Sequence, residues 1–229
     1  DLHMHTNASD GVPTVQELLN HVQHNTRLDV IAITDHDRLD ASLWAYEQQE
    51  NYRFDIIPGV EVTSTEGHVL GLWVTRPIPK RLSLKETIEA IHEQNGIAIL
   101  AHPYHVQVHD VAFNWITYTR HPEYLLEMGL DALEVHNAGI LIPGENMLAR
   151  CLAHMLQITI TGSSDAHTLG AIGSGLTRFK GHTADDLRRA MIRKQTKAEG
   201  RAWHITDYWK YLRHSNRNIS SEFLVENLS

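Results

Sequence analysis

Short apolar runs punctuate the first two-thirds of the chain, and each gives way to a polar or charged residue. Asp1-Leu-His-Met-His5 is the first. Asp29-Val-Ile-Ala-Ile-Thr34 is the second and runs into Asp35-His36-Asp37. Phe54-Asp-Ile-Ile-Pro-Gly-Val60 leads to Glu61, and His68-Val-Leu-Gly-Leu-Trp-Val74 follows it. Ile97-Ala-Ile-Leu100 leads to His102-Pro103, Asp131-Ala-Leu-Glu-Val135 to His136-Asn137, and Ile158-Thr-Ile160 to Ser164-Asp165-Ala-His167. Runs of this length without strict alternation suit parallel strands buried on both faces.

Helical patterns fill most of the gaps. Thr14-Val-Gln-Glu17 and Ser83-Leu-Lys-Glu86 fit the capping box, in which a hydroxyl and a carboxylate satisfy exposed backbone donors reciprocally. Gly96 stands where a left-handed helix cap is expected. Residues 38–51, 144–156 and 183–194 also read as helices. Strand alternating with helix predicts an α/β fold with a parallel sheet, and the number of units approaches barrel arithmetic. In such barrels the reactive groups stand at the carboxyl ends of the strands, where these histidines and carboxylates fall.

Composition sharpens the picture at one point. The 229 residues, 42% hydrophobic and 21% charged, suffice for one large domain with a sizeable core. A net charge of −8 argues against a dedicated duplex-DNA surface, which needs a basic face. No run approaches the roughly 18 apolar residues needed to cross a bilayer. With a single cysteine, Cys151, a reducing cytoplasm is the expected compartment. Seventeen histidines, however, is far above the ordinary usage, and histidine is the commonest metal ligand. His21, His24, His92, His121, His154, His182, His204 and His214 fall on helix-like or polar stretches and read as solvated. His3, His5, His36, His68, His102, His136 and His167 fall beside the apolar runs. Clustered at a barrel mouth with Glu61 and Asp165, such groups would be costly without cations to compensate them.

These motifs resemble the PHP (polymerase and histidinol phosphatase) family of phosphoesterases over residues 1 to about 200. The resemblance rests on Asp1-Leu-His-Met-His5 with Ser9-Asp10-Gly11, Ile33-Thr-Asp-His-Asp37, Gly59-Val-Glu61, Ala101-His-Pro103 and Gly162-Ser-Ser-Asp-Ala-His167. The Ser9-Asp10-Gly11 continuation and the short step from Glu61 to His68 look most like the small nucleotide-phosphatase branch, with the RNase AM (TrpH-type) proteins. The resemblance implies a distorted (β/α)7 TIM-like barrel with the metal site at the carboxyl ends of the strands. It also implies two or three divalent transition-metal ions. His3, His5, Glu61 and Asp165 would hold the first. Glu61 would bridge to a second, which also takes His68 and His102. Asp10, His36 and His167 would hold a third. A histidine often stands at the Asp10 position in the family's histidinol-phosphatase-like members. Imidazole and carboxylate without thiolate fit zinc, manganese or iron.

The filled site would be cationic inside an acidic protein and would draw a phosphate. The implied reaction is hydrolysis of a small phosphomonoester or nucleotide, or trimming of a short RNA end, by attack of a metal-bridging hydroxide. Among the remaining candidates, Asp35 reads as orienting a ligand histidine, and His136 as protonating the leaving oxygen or binding phosphate. Tyr104 and His105 would stack on a base or reach a phosphate, Asn137, which ends the same strand as His136, would bind the substrate, and Arg178 is a candidate anion clamp. Loop 104–120 would set the choice of phosphoester. Residues 170–175 read as a flexible turn. Residues 201–229 form an aromatic extension, expected to pack across the amino-terminal end of the barrel. Two other readings remain: a binuclear amidohydrolase, which the absence of a mid-barrel lysine disfavours, and a non-catalytic metal module acting through a partner. Oligomeric state is not legible.

Overall fold

A computed structural model describes residues 1–105, 115–142 and 144–226, with side chains described for 1–105, 118–142 and 144–215. Residues 106–114 of the loop expected to select the phosphoester lie outside the described residues.

Six strands form one sheet in chain order: β1 (Val30–Ile33), β2 (Asp55–Ser64), β3 (Gly67–Leu72), β4 (Ile97–Leu100), β5 (Ala132–Asn137) and β6 (Thr159–Ser163). A two-stranded sheet, β7 (Gly175–Arg178) and β8 (Lys197–Gly200), packs beside β6. The helices are α1 (Val15–Asn25), α2 (Asp40–Glu47), α3 (Leu84–His92), α4 (Trp115–Arg120), α5 (Glu123–Glu127), α6 (Glu145–Leu156), α7 (Ala184–Ile192) and α8 (Ile205–Glu226). The fold is α/β, with the six-stranded sheet curled into a half-barrel, consistent with the barrel that the resemblance implied. The opening segment, expected as the first strand, contributes single bridges instead. Met4 bridges to Ala166, the Asp1 carbonyl accepts from the Ala32 amide, and the Met4 carbonyl accepts from the Thr34 amide. It therefore lies between β1 and the residues just beyond β6.

The sheet is not all parallel. β1–β2, β4–β5 and β5–β6 pair in parallel, but β2–β3 and β3–β4 are antiparallel. The reason is the short step from Ser64 to Gly67, which has room only for a hairpin turn and no crossover helix. β2 therefore continues through Glu61, which sits within a strand and not at its end. Both faces are covered, so β1, β3 and β4 are wholly buried, and each buried Leu or Ile contributes about 1.5–3 kcal/mol.

Both anticipated capping boxes form, Thr14 with Glu17 and Ser83 with Glu86, and Thr183 with Asp186 makes a third. α3 buries Leu84, Ile88 and Ile91, which share one helical face. The left-handed position after α3 belongs to Asn95, at φ 56°, and not to Gly96. Gly96 is needed for close approach: a Cβ there would lie 2.8 Å from both the Ile91 side chain and the Leu72 carbonyl. The stretch 170–175, expected as a flexible turn, is an ordered helical turn (Leu169–Ala171) that runs into β7. Among the described residues no helix is long and apolar enough to cross a membrane.

The C-terminal segment packs at the opposite end from that expected. Trp203 donates its indole N–H to the Ser164 carbonyl at 2.6 Å, and Tyr208 donates its hydroxyl to the Ala138 carbonyl. Thr168 donates to the Asp207 carboxylate. All three partners lie just beyond the carboxyl ends of β5 and β6, so α8 flanks the mouth.

Candidate metal centre

The mouth is built from strand ends and one mid-strand carboxylate. His102 follows β4 at φ 25° and Asp165 follows β6 at φ 51°, both in the left-handed region that non-glycine residues rarely occupy. These turns occur where each chain leaves its strand, at the edge of the cluster. Such conformations gather at functional sites because the surrounding structure must enforce them.

Glu61 stands at the centre, 1% exposed. Its Oε1 lies 2.9 Å from His68 Nδ1 and 3.0 Å from His102 Nε2. Its Oε2 lies 3.0 Å from His3 Nε2, 3.3 Å from His5 Nε2 and 3.3 Å from His36 Nδ1. The two oxygens thus face two different sets of imidazoles, as a bridging carboxylate must. Asp165 Oδ1 lies 3.2 Å from His5 Nε2 and 3.4 Å from His3 Nε2. Further out, Asp10 Oδ2 is 3.0 Å from His167 Nε2, and His5 and His36 complete that group.

All nine anticipated ligands fall into four overlapping groups, within which the donor atoms lie within 4.8 Å of one another. They are His5, Asp10, His36 and His167; His3, His5 and Glu61; His3, His102 and Asp165; and His36, Glu61 and His68. His5 and His36 are each shared between groups, so the partition differs in detail from the one the resemblance implied. The donor set fits divalent transition ions. His5 Nε2 is fully buried without a hydrogen-bond partner, although two carboxylate oxygens are within 3.3 Å. A buried polar atom is seldom left in that condition unless a ligand completes it.

Electrostatics point the same way. Burial alone would push the Glu61 and Asp165 carboxyls up, but the facing imidazoles, His3 foremost, hold both well below the usual carboxylate range. Asp10 is likewise lowered against its burial by His167, His5 and His36. His5 is pushed up to about 10: burial opposes its protonation, and Asp165 and Glu61 override it. His36 is lowered, chiefly by burial. Three permanent carboxylates inside a shell of imidazoles make a site with high affinity for positive charge.

The remaining candidates separate. Asp35 does not touch a histidine ring; its two oxygens accept from the Thr6 amide and hydroxyl and from the Ser9 hydroxyl, at 2.6–2.7 Å. It braces the loop that carries Asp10, in place of the expected role of orienting a ligand histidine. Asn137 donates to Glu134 and Asp165, both at 2.9 Å, and its Oδ1 accepts from the Gly139 amide. It orients Asp165. His136 does not face the mouth. A bulge between Glu134 and His136 shifts the register of β5 against β6. The ring lies against Gly200, close enough to feel the charge of Arg150. Arg178 is also remote. The Gly162 amide donates to Thr177 and Gly175 abuts Ser163, so β7 runs opposite to β6 and carries Arg178 away from the mouth, where it pairs with Glu199. Tyr104 packs against the core and bonds Thr119. His105, held by Glu145 at 3.1 Å, lines a cavity beside the cluster.

Glu134 escaped the sequence reading. It is 1% exposed, and His3 Nδ1 donates to it at 3.0 Å, as do the His102 amide and Asn137 at 2.9 Å and the Ser163 hydroxyl. Its signal was a carboxylate inside the apolar run Ala132-Leu-Glu-Val135, which only a buried polar network tolerates.

The PHP domain family model matches residues 1–165, and the PHP-associated model matches residues 143–196. The chain belongs to the PHP family. It is 32% identical over 149 residues to an uncharacterized protein of Methanocaldococcus jannaschii, covering 60% of this chain and 81% of the relative. A 5′-3′ exoribonuclease of Haemophilus influenzae is 33% identical over 103 residues, 43% of this chain and 37% of the relative. The chain thus spans well under half of that enzyme. Among solved structures, a two-domain Bacteroides vulgatus protein containing a predicted PHP-like metal-dependent phosphoesterase superposes with a TM-score of 0.68. Its identity is 20%, covering 88% of this chain and 64% of that one. Family membership makes this PHP chain a metal-dependent hydrolase of phosphoester bonds.

Proposed function

We propose that this PHP protein hydrolyses the terminal phosphate ester of a small phosphomonoester or nucleotide, or trims a short RNA from an end. Two or three divalent transition ions (zinc, manganese or iron) would be held by His3, His5, Asp10, His36, Glu61, His68, His102, Asp165 and His167. The observation that carries this reading is Glu61, whose two oxygens face separate imidazole sets within 3.3 Å. When bound, the ions lower the pKa of a water and offset charge on the phosphoryl oxygens during in-line attack.

The chain's own residues supply position. Glu134 fixes the His3 ring by accepting a hydrogen bond from its Nδ1–H, which leaves Nε2 for the centre. Asn137 holds Asp165, and Asp35 holds the loop of Asp10. Of the candidate substrate-contacting residues, His105 and Asn137 line the adjoining cavity. The enzyme would be end-directed, because the sequence between residues 100 and 175 carries no lysine and only two arginines, Arg120 and Arg150, too few for a cationic track that would hold a long polymer.

A screen of nucleoside monophosphates, 3′,5′-bisphosphates, short RNAs and a long duplex with added manganese tests this reading, beside elemental analysis of the purified protein. Release of inorganic phosphate or terminal nucleotides is expected. Internal cutting of the duplex at the rate of the small substrates would discard the end-directed reading.

A further inference from the structure

Away from the mouth, a cavity of about 400 Å³ lies between α6 and the turn that links α7 to β8. Val135 of β5, with Ile158 and Ile160 at the start of β6, forms its apolar floor. Side chains alternate along a strand, so Val135 points away from the metal cluster that Glu134 faces. The cavity is thus on the outer face of the sheet, and the sheet itself separates it from the mouth. Its rim is cationic: Arg150 and His154 come from α6, and Lys194 comes from the turn after α7. Among the described residues that line it there is no aspartate or glutamate.

We propose that this cavity binds a small amphipathic anion, with a phosphate or carboxylate head on Arg150 and Lys194 and an apolar body on the strand floor. Unpaired cations are the first reason. The chain has 28 Asp and Glu against 20 Lys and Arg, and Arg38, Arg178 and Arg189 each hold a carboxylate within 2.9 Å. Arg150 and Lys194 hold none among the described residues. Arg150 donates to the Ala198 carbonyl at 3.4 Å, and Lys194 to the Gln157 carbonyl at 2.8 Å. These backbone bonds fix both side chains at the cavity and leave further N–H donors on each. Gln157 caps α6, so Lys194 also covers the negative end of that helix, which would otherwise repel an anion. Asp131, in the adjoining hollow that shares Ile158 and Lys194, is already taken by His92 and the Ala98 amide, both at 2.8 Å. Burial and, after it, the Arg150 charge hold the nearby His136 imidazole low, as they do when no anion neutralises the guanidinium. The floor is the second reason. A hydrated inorganic ion would leave it bare, and a neutral apolar molecule would leave the cations unpaired. The volume falls within the about 300–1,000 Å³ of small-molecule sites.

The probe is phenylphosphonate, which has an anionic head, a flat apolar body and no ester bond to hydrolyse. It is titrated into zinc-loaded, isotope-labelled protein and followed by backbone amide shifts in NMR, which resolve the outer cavity from the mouth. Saturable shifts of the Ala153, Gln157 and Thr196 amides are expected, with a Kd at least about tenfold below that of methylphosphonate, which lacks the ring. Benzoate in the same titration separates a carboxylate head from a phosphate head, and the tighter of the two names the ligand. Arg150→Gln and Lys194→Gln, both at exposed positions, should each weaken binding at the cavity at least about tenfold while the shifts around the mouth persist. His154→Asp, which adds a negative charge to the rim, should weaken it too. The rest of each variant's spectrum shows that the chain is folded. Three results overturn the proposal and leave the two cations as a solvated face: no saturable shift at the cavity amides with either anion, shifts that survive both Arg150→Gln and Lys194→Gln, or an equal response to the cation benzylamine. Because amide shifts report binding and not turnover, none of these results bears on the phosphoesterase reading of the metal centre.

Discussion

His3 donates its Nδ1 proton to Glu134 across 3.0 Å, and both residues are wholly withdrawn from solvent. This single contact sets the tautomer of a ring whose Nε2 faces Glu61 and Asp165. Glu134→Gln keeps the shape but gives up the charge and can turn a donor towards His3. Metal affinity and activity are both expected to fall about 10–100-fold, the usual cost of losing such a supporting carboxylate. Elemental analysis and steady-state rates measured on the same preparation check this; unchanged metal content would leave Glu134 a packing residue.

Glu61 should be far less replaceable than any exposed imidazole. Glu61→Gln and Asp165→Asn each remove a charge and a ligand from the buried cluster, and turnover below about a tenth of wild type is expected for each. His24→Ala is the control, because that ring only caps the Asn20 carbonyl on the exposed face of α1, and it should be near neutral. Retention of activity in Glu61→Gln would place the site elsewhere.

Chelation should lower stability together with activity. The cluster concentrates three buried or half-buried carboxylates and six imidazoles, and ions bound there stabilise the folded chain relative to the unfolded one. A lower melting temperature after chelation, restored by manganese or zinc, is the expected result. A melting temperature that does not respond to chelator or added ion would contradict it.

His136 makes a separate prediction about pH. Burial, reinforced by the Arg150 charge and partly opposed by Glu134, holds this imidazole below its ordinary value of 6.5. Its Nε2 is buried without a hydrogen-bond partner. Below pH 6.5 the unfolded chain takes up a proton that the folded chain refuses, so stability rises with pH through that window and is lost as pH falls. His136→Asn removes this slope. The difference between variant and wild type in denaturant midpoint should move in favour of the variant on going from about pH 7.5 to about pH 5. A constant difference would show that His136 is not the group involved.

Gly175 should be intolerant of any side chain. A Cβ there would overlap the Ser163 carbonyl and approach the Ser164 amide at 3.0 Å, and both are backbone atoms that cannot step aside. Gly175→Ala is expected to cost about 2 kcal/mol or more, read from denaturant unfolding. Gly173, at φ 78°, has open space where its Cβ would stand, so Gly173→Ala meets only the backbone preference, about 1 kcal/mol. Equal losses in the two variants would rule out the packing argument.

The six strands of the large sheet, helices α1, α2, α3, α6 and α7, two of the capping boxes, and the histidines, Glu61 and Asp165 of the cluster were legible in the chain; β7, β8, α4, α5 and α8 were not, and Asp10 was implied only by the resemblance. The legible features depend on local chemistry: apolar runs that must be buried, hydroxyl–carboxylate pairs at helix starts, and titratable groups beside those runs. Other features depend on relations that no local pattern carries. The antiparallel direction of β3 follows from a turn too short for a helix, and it moved Glu61 from a strand end to a strand interior. One bulge in β5 turned His136 to the far side, where simple alternation from Glu134 would have brought it to the mouth. Glu134 read as part of an apolar run until its four donors came together from the turn after β4, from β5, from β6 and from the opening segment. The aromatic residues 203–211 were expected to pack across the amino-terminal end of the barrel, and the structure instead buries Trp203 and Tyr208 at the mouth and leaves Trp209 exposed. Only the folded chain brings Trp203 to the Ser164 carbonyl and Tyr211 to Asp10, because a hydrophobic surface is non-directional and its partner is chosen by hydrogen bonds from residues far away in sequence.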